Sequence, residues 1–300
     1  VELFDPPLGP DPKLALLTPV VDPLVSGPAR RAQFVVELVG PHSLSASAAA
    51  QLLTPSWQGA LGQPEAYCMS PSDTQWQVLS DRKDGSYDSL VLCWDILSAQ
   101  GQLTTASAKH LFRQAEQLAN AIGRRAMPLP VPDDMNRTAK DLLKIQEQLD
   151  VGVSVEVIPK SGVVMEKDLW VVCSKLGLQF SPEGSFDWRV PHHPCPLFSV
   201  TPIGDTEAFS LGSVQRGARH EGVTVGFNLP RCPAPMAALD GAFQACETIA
   251  AAIDGVSVDD SGRLMTAAIA DEMRRSLQMG VEALESIGLK PGSASALKLF

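Results

Sequence analysis

The sequence predicts an α+β protein built as two tandem modules, each an antiparallel or mixed sheet with helices packed on one face in a split βαβ arrangement. Three observations predict it. Two segments alternate apolar and polar residues with period two: QFVVELVG places Phe34, Val36 and Leu38 on one face, and VGVSVEVI does the same with Val153, Val155 and Val157. That alternation marks a half-buried strand. Two further segments carry one helical stripe in the same phase. Ala108, Leu111, Phe112, Ala115, Leu118, Ala119 and Ile122, shifted by 131, become Leu239, Ala242, Phe243, Cys246, Ile249, Ala250 and Ile253. Every position stays apolar and Phe falls on Phe. A single amphipathic helix arises easily by chance, but a matched aromatic phase with flanking elements in the same order indicates duplication. Finally, 300 residues exceed the usual size of one compact core, so two modules of roughly 100–150 residues are expected.

Taken in order, residues 1–30 are rich in proline and lack periodicity, which predicts an extended lead-in. The first module, 31–150, opens with the strand at Phe34 and continues with a helix over SASAAAQLL (45–53), a strand DTQWQVLS around Trp76 and a strand SLVLCWDIL (89–97). The amphipathic helix follows, and a helix from Asn136 to Leu149 closes the module. The second module, 151–300, repeats this order with a helix at EKDLWVVCSKLG (166–177), FDWRVPHH around Trp188 and GVTVGFNLP (222–230), so that Trp94 corresponds to Phe227 and Ile96 to Leu229. It adds a strand, PLFSVTPI (196–203), between its Trp strand and the next. Ile269, Met273, Leu277, Val281, Leu284 and Ile287 mark one face of a long closing helix, with Gly288 at the glycine C-cap position. Trp76 and Trp188 are expected in packing rather than as ligand stackers.

Composition excludes several functions. A formal charge of −10 without a basic stripe argues against nucleic acid, whose binding depends on Lys and Arg. Cys68, Cys93, Cys173, Cys195, Cys232 and Cys246 form no CxxC pair and read as reduced core residues. No run of about 18 apolar residues indicates a membrane span. The opening Val1 is expected to reflect a processed or truncated piece of a longer protein. Nucleophile elbows, P-loops and dinucleotide fingerprints are absent, so an enzyme is the weaker hypothesis. His192, His193 and Cys195 in PHHPCP have ligand chemistry but no nearby fourth ligand, and a proline-pinned loop is expected instead of a metal site. Asp259 and Asp260 before Gly262 and Arg263 predict a turn with Asx hydrogen bonds rather than an acid–base pair.

The stretches LGLQFSPEGSFDW, PLFSVTPI, EGVTVGFNLP and especially GVSVDDSGRLMT resemble the C-terminal, FtsZ-binding domain of the bacterial cell-division protein ZipA. The first module and the tail GLKPGSASALKLF resemble, more loosely, the longer ZipA-like proteins of betaproteobacteria. The resemblance implies a non-catalytic scaffold without cofactors on the cytoplasmic face of the inner membrane. Its partner would be the C-terminal peptide of FtsZ, and its transmembrane anchor would lie outside these residues. It also implies a shallow groove on the open face of the second module's sheet, which transfers here to Gly152, Ser154, Glu183, Ser185, Ile203, Thr224 and Gly226. Only Ile203 retains a large apolar side chain, which leaves open a register shifted by one residue, a different peptide, weaker binding, or contact through the first module. The alternative from another class is a small-molecule-binding regulatory pair with a ligand site between ferredoxin-like modules.

Overall fold

The computed structural model describes residues 12–50, 54–72, 75–79, 85–204 and 208–300. Helices and antiparallel sheets give the α+β class. The chain divides into two compact units: Leu24–Leu149 with Ser293–Phe300, and Asp150–Gly292 with the residues up to Pro23.

In chain order the sheet strands are β1 (Gln33–Val39), β2 (Glu65–Met69), β3 (Gln77–Val78), β4 (Ser89–Asp95), β5 (Arg125–Leu129), β6 (Gly152–Pro159), β7 (Gln179–Phe180), β8 (Phe186–Trp188), β9 (Phe198–Ile203), β10 (Gly222–Asn228) and β11 (Gly255–Asp259). The helices are α1 (Pro12–Leu17), α2 (Ala46–Ala50), α3 (Pro55–Ala60), α4 (Thr105–Ala121), α5 (Met135–Leu149), α6 (Glu166–Lys175), α7 (Leu211–Gln215), α8 (Pro235–Ala252), α9 (Ala267–Ser286) and α10 (Ala294–Leu299).

In the 24–149 unit the sheet runs β3-β2-β4-β1-β5, antiparallel throughout. Phe34 pairs with Trp94 and Val36 with Leu92, and all four side chains are buried. The helix α4 packs on β1 and β5, and Ala108, Ala115, Leu118 and Ala119 are its buried residues. Thr104 starts that helix by accepting the Ser107 N–H at 3.1 Å, satisfying one of its unpaired donors. Arg124, just before β5, is buried and donates to the carbonyls of Leu38, His42, Tyr87 and Asp88 at 2.7–3.1 Å.

In the 150–292 unit the sheet runs β7-β8-β9-β10-β6-β11, again antiparallel. Val155, Val157, Phe186, Trp188, Phe198, Val200, Val223 and Val225 form one buried layer. Onto it pack α6 through Leu169 and Cys173 and α8 through Ala238, Ala242 and Ile249. Leu14 of α1 joins the same core. The close approach of α8 depends on Gly241, where a Cβ would stand 2.1 Å from Trp188 Cζ3. α9 lies on α8 and begins at Thr266, whose hydroxyl accepts the Ile269 N–H.

Several details differ from the sequence reading. The expected extended lead-in contains α1, because Leu14 can bury against α8; residues 1–11 of that expectation lie outside the described residues. Of the helix expected over 45–53, the structure describes α2, and 51–53 lie outside the described residues. Of the Trp76 segment, β3 is paired, and 73, 74 and 80 lie outside them. β3 and β8 occupy equivalent sheet positions, two strands out from β4 and β10 respectively. The strand between, however, precedes the Trp segment in the first unit (β2) and follows it in the second (β9). The strand that looked additional in the second half therefore has a spatial counterpart whose chain order differs. The tail from Ser293 belongs to the first unit, not to the second half.

Candidate functional site

Strand parity determines which residues share the face opposite the core. On β6, Val155 and Val157 point inward, so Gly152, Ser154, Glu156 and Ile158 point outward. Ser154 pairs with Gly226, which pairs with Ser199 on β9; Glu156 pairs with Thr224, which pairs with Thr201. Ile203 lies opposite Gly222, and Ile158 lies opposite Val256 on β11. The described helices of the unit gather on the side of Val155 and Val157, leaving this face with half-exposed residues on its strands.

The face has a shape set by glycine. β10 presents Gly222, Thr224 and Gly226, so its floor is low between the side chains of β9 and β6. At Gly222, φ is +155° and a Cβ would stand 2.3 Å from the Val157 carbonyl oxygen; at Gly226 one would stand 2.8 Å from that of Val153. The result is a shallow trough along β10. At one end, Ile203, Ile158, Val256 and Val258 make an apolar strip, extended by Leu264, which bridges to Val258 and is 60% exposed. At the other, Ser199 and Gly226 border a cavity of about 180 Å³ that also meets Phe198, Phe227, Cys195 and Arg231. The Arg231 guanidinium, 3.8 Å from Cys195 Sγ, puts positive charge there. An apolar strip, a backbone-accessible floor and a cation at one end suit a short amphipathic peptide.

The structure thus brings five of the sequence-derived residues, Gly152, Ser154, Ile203, Thr224 and Gly226, onto one face. Two do not belong to the trough. Glu183 lies in the turn between β7 and β8 and is exposed, away from any strand. Ser185 precedes β8 and is buried, its hydroxyl donating to Asp187 Oδ1 at 2.7 Å and facing Ser181 Oγ at 2.8 Å. Asp187 also accepts from Ser199 and Arg189, so these polar groups tie the strand ends together. The view that Ile203 stood alone also needs correction: Ile158, Val256 and Val258 share its face. Ile158 was legible by counting alternation one residue past Val157. Val256 and Val258 were not, because the sequence signal in this segment is the turn at Asp259 and Asp260 rather than the five-residue strand that precedes it.

The other chemistry-bearing residues have structural partners. His193 is buried, with Nδ1 3.2 Å from the Cys195 amide nitrogen and 3.1 Å from the Cys195 carbonyl oxygen, and with Nε2 3.0 Å from the Gly292 carbonyl oxygen. Asp259 Oδ1 accepts the N–H groups of Ser261 and Arg263 and its Oδ2 meets Arg263 Nε at 2.7 Å, forming the expected Asx turn. Burial acts to raise the Asp259 carboxyl, but these hydrogen bonds and the guanidinium outweigh it and hold the group below the usual range. Glu166, fully buried, accepts from Trp170 Nε1, Ser210 N and His220 Nε2 at 2.9–3.1 Å. Burial pushes the Cys232 thiol up to about 12 and those of Cys173 and Cys246 higher still, the wrong direction for a nucleophile. Among the described residues, no group of three His, Cys, Asp or Glu side chains is placed to hold a metal ion, and no helix is long and apolar enough to cross a membrane.

Residues 151–276 match the family model described as ZipA, C-terminal FtsZ-binding domain. This segment is ZipA-like; the match runs from the residue before β6 into α9 and covers less than half of the chain. No curated protein matches the chain.

Proposed function

We propose that this protein is a non-catalytic cell-division scaffold whose 150–292 unit captures the C-terminal peptide of FtsZ in the trough along β10. The observation that carries the reading is the coincidence of the ZipA-like segment with a sheet whose helices leave one face free. A guest chain in such a trough would bury apolar side chains against Ile158, Ile203 and Val256 and place an acidic group near Arg231. Glycines on β10 would let its backbone approach closely. In this reading Gly152, Ser154, Thr224 and Gly226 contribute shape and hydrogen bonding, whereas Glu183 and Ser185 do not contact the guest. The 24–149 unit is a divergent copy of the same module, and a membrane anchor outside these residues tethers the assembly to the inner membrane.

Fluorescence-anisotropy titration of the FtsZ C-terminal peptide against the 300-residue chain tests the proposal. Burial of one isoleucine contributes about 1.5–3 kcal/mol, so Ile203→Glu and Ile158→Glu are each expected to weaken binding at least tenfold. Met279→Glu, on the exposed side of α9, should leave it unchanged. Absence of saturable binding by the unsubstituted chain refutes the partner; binding indifferent to both isoleucine substitutions refutes the face.

A further inference from the structure

We propose that the five-stranded sheet of the 24–149 unit carries a second peptide-binding face, occupied in cis by the chain's own helix α10, with Lys298 as its anchor. The face is the counterpart of the trough on the other sheet. On β1 and β4, Val35 pairs with Cys93, and Cys93 pairs with Glu65 on β2. On β6 and β10, Ser154 pairs with Gly226, and Gly226 pairs with Ser199 on β9. The same three positions that form an open, small-residue surface in one unit form in the other an apolar pair covered by Tyr67 and Trp76, with Glu65 at the acidic end that Lys298 reaches.

Two carboxylates meet there. Gln33 Nε2 donates to Glu65 Oε2 and to Asp95 Oδ1, both at 2.9 Å, which holds the two acids side by side. Such a pair needs a cation, and Lys298 supplies it, donating to Glu65 Oε1 and lying 3.4 Å from Asp95. Burial works to lower the lysine, but its contact with the acids keeps its affinity for the proton above the ordinary value. The rest of α10 is docked as well. Ala296 and Leu299 are buried, Gln146 Nε2 of α5 donates to the Leu299 carbonyl at 2.9 Å, and Ser293 Oγ accepts the Ala296 N–H. A helix of 6 residues has no stability alone, so its helicity depends on this seat. A cavity of about 460 Å³ opens beside the same acids, lined by Glu65, Trp94, Asp95 and Leu111, and leaves room for exchange. The seat recognises a short helix that presents a lysine beside small and branched apolar residues. It stands independently of the partner proposed for the six-stranded sheet.

The test uses the 300-residue chain carrying Lys298→Glu, which sets a third acid against Glu65 and Asp95. Backbone amides of residues 296–300 should exchange hydrogen about tenfold faster or more, while the strands keep their protection. A labelled peptide of residues 289–300 should bind this variant at least about tenfold more tightly than the unsubstituted chain, whose seat is filled, and high salt should weaken that binding. Unchanged protection of 296–300, or a folded variant that fails to take up the peptide, overturns the proposal. If circular dichroism shows that Lys298→Glu does not fold, Lys298→Ala gives the same exchange measurement. Faster exchange confined to 296–300 then supports the seat, and unchanged exchange refutes it.

Discussion

Replacing Gly241 by alanine should loosen the 150–292 unit, although alanine is the better helix former. The new Cβ would lie 2.1 Å from Trp188 Cζ3 and 2.8 Å from Cε3 and Cη2. Carbon atoms in contact need about 3.5–4.0 Å, so α8 and the indole must part by about 1.5 Å. Neither yields easily: Trp188 is buried against Phe198 at 5.3 Å between centroids, and α8 is pinned to β6 and β11. Overpacking of this kind costs typically 1–3 kcal/mol, and a clash this deep belongs at the upper end. The helix-propensity gain from glycine to alanine returns about 1 kcal/mol. The net is about 2 kcal/mol of destabilisation, or a fall in Tm of about 4–8 °C for a unit of this size. Scanning calorimetry measures it. Gly59→Ala in α3 is the control, because a Cβ there meets nothing within 4 Å and should stabilise slightly. Trp188→Leu in the Gly241→Ala background should cost less than the two separate losses combined. A Gly241→Ala protein at least as stable as its parent would refute the close approach of α8 to the sheet.

Other substitutions probe other parts of the structure. Arg124→Met strands the buried carbonyls of Leu38 and Tyr87 and the partly buried ones of His42 and Asp88, and should cost about 3 kcal/mol or more in urea denaturation, with Arg124→Lys recovering only part because one ammonium cannot reach all four. Thr266→Ala removes the cap of α9 and should cost about 1 kcal/mol, read as a shift in denaturation midpoint. Burial would raise the Glu166 carboxyl, but the hydrogen bonds from Ser210, His220 and Trp170 prevail and hold it below its ordinary value. Its folded pKa is thus lower than its unfolded one, so its stabilisation is complete above about pH 4.5 and drains away as pH falls through the folded value. The stability gap between the parent and Glu166→Gln should accordingly narrow on acidification below pH 4.5, and a gap that widens would contradict the sign.

How much of this was legible from the sequence depended on the range of the interaction. The alternation of Val153, Val155 and Val157, the stripes of α4 and α8, and the cap signals are local, since each residue's face follows from the period of its own element. The α+β class and the outward side of β6 and β10 therefore followed from the sequence alone. Pairing was another matter. Nothing in a short apolar strand says which neighbour it will choose, so the different chain positions of β2 and β9, and the contribution of Val256 and Val258 to the trough, required the assembled sheet. The same holds for groups that meet from distant parts of the chain. Arg124 reaching Leu38, Glu166 reaching His220 and Lys298 reaching Glu65 are long-range contacts made by single polar residues that carry no periodic signal. The destinations of Leu14 and of α10 belong to that class, because a short segment buries where tertiary packing leaves room for it, and composition does not encode that place.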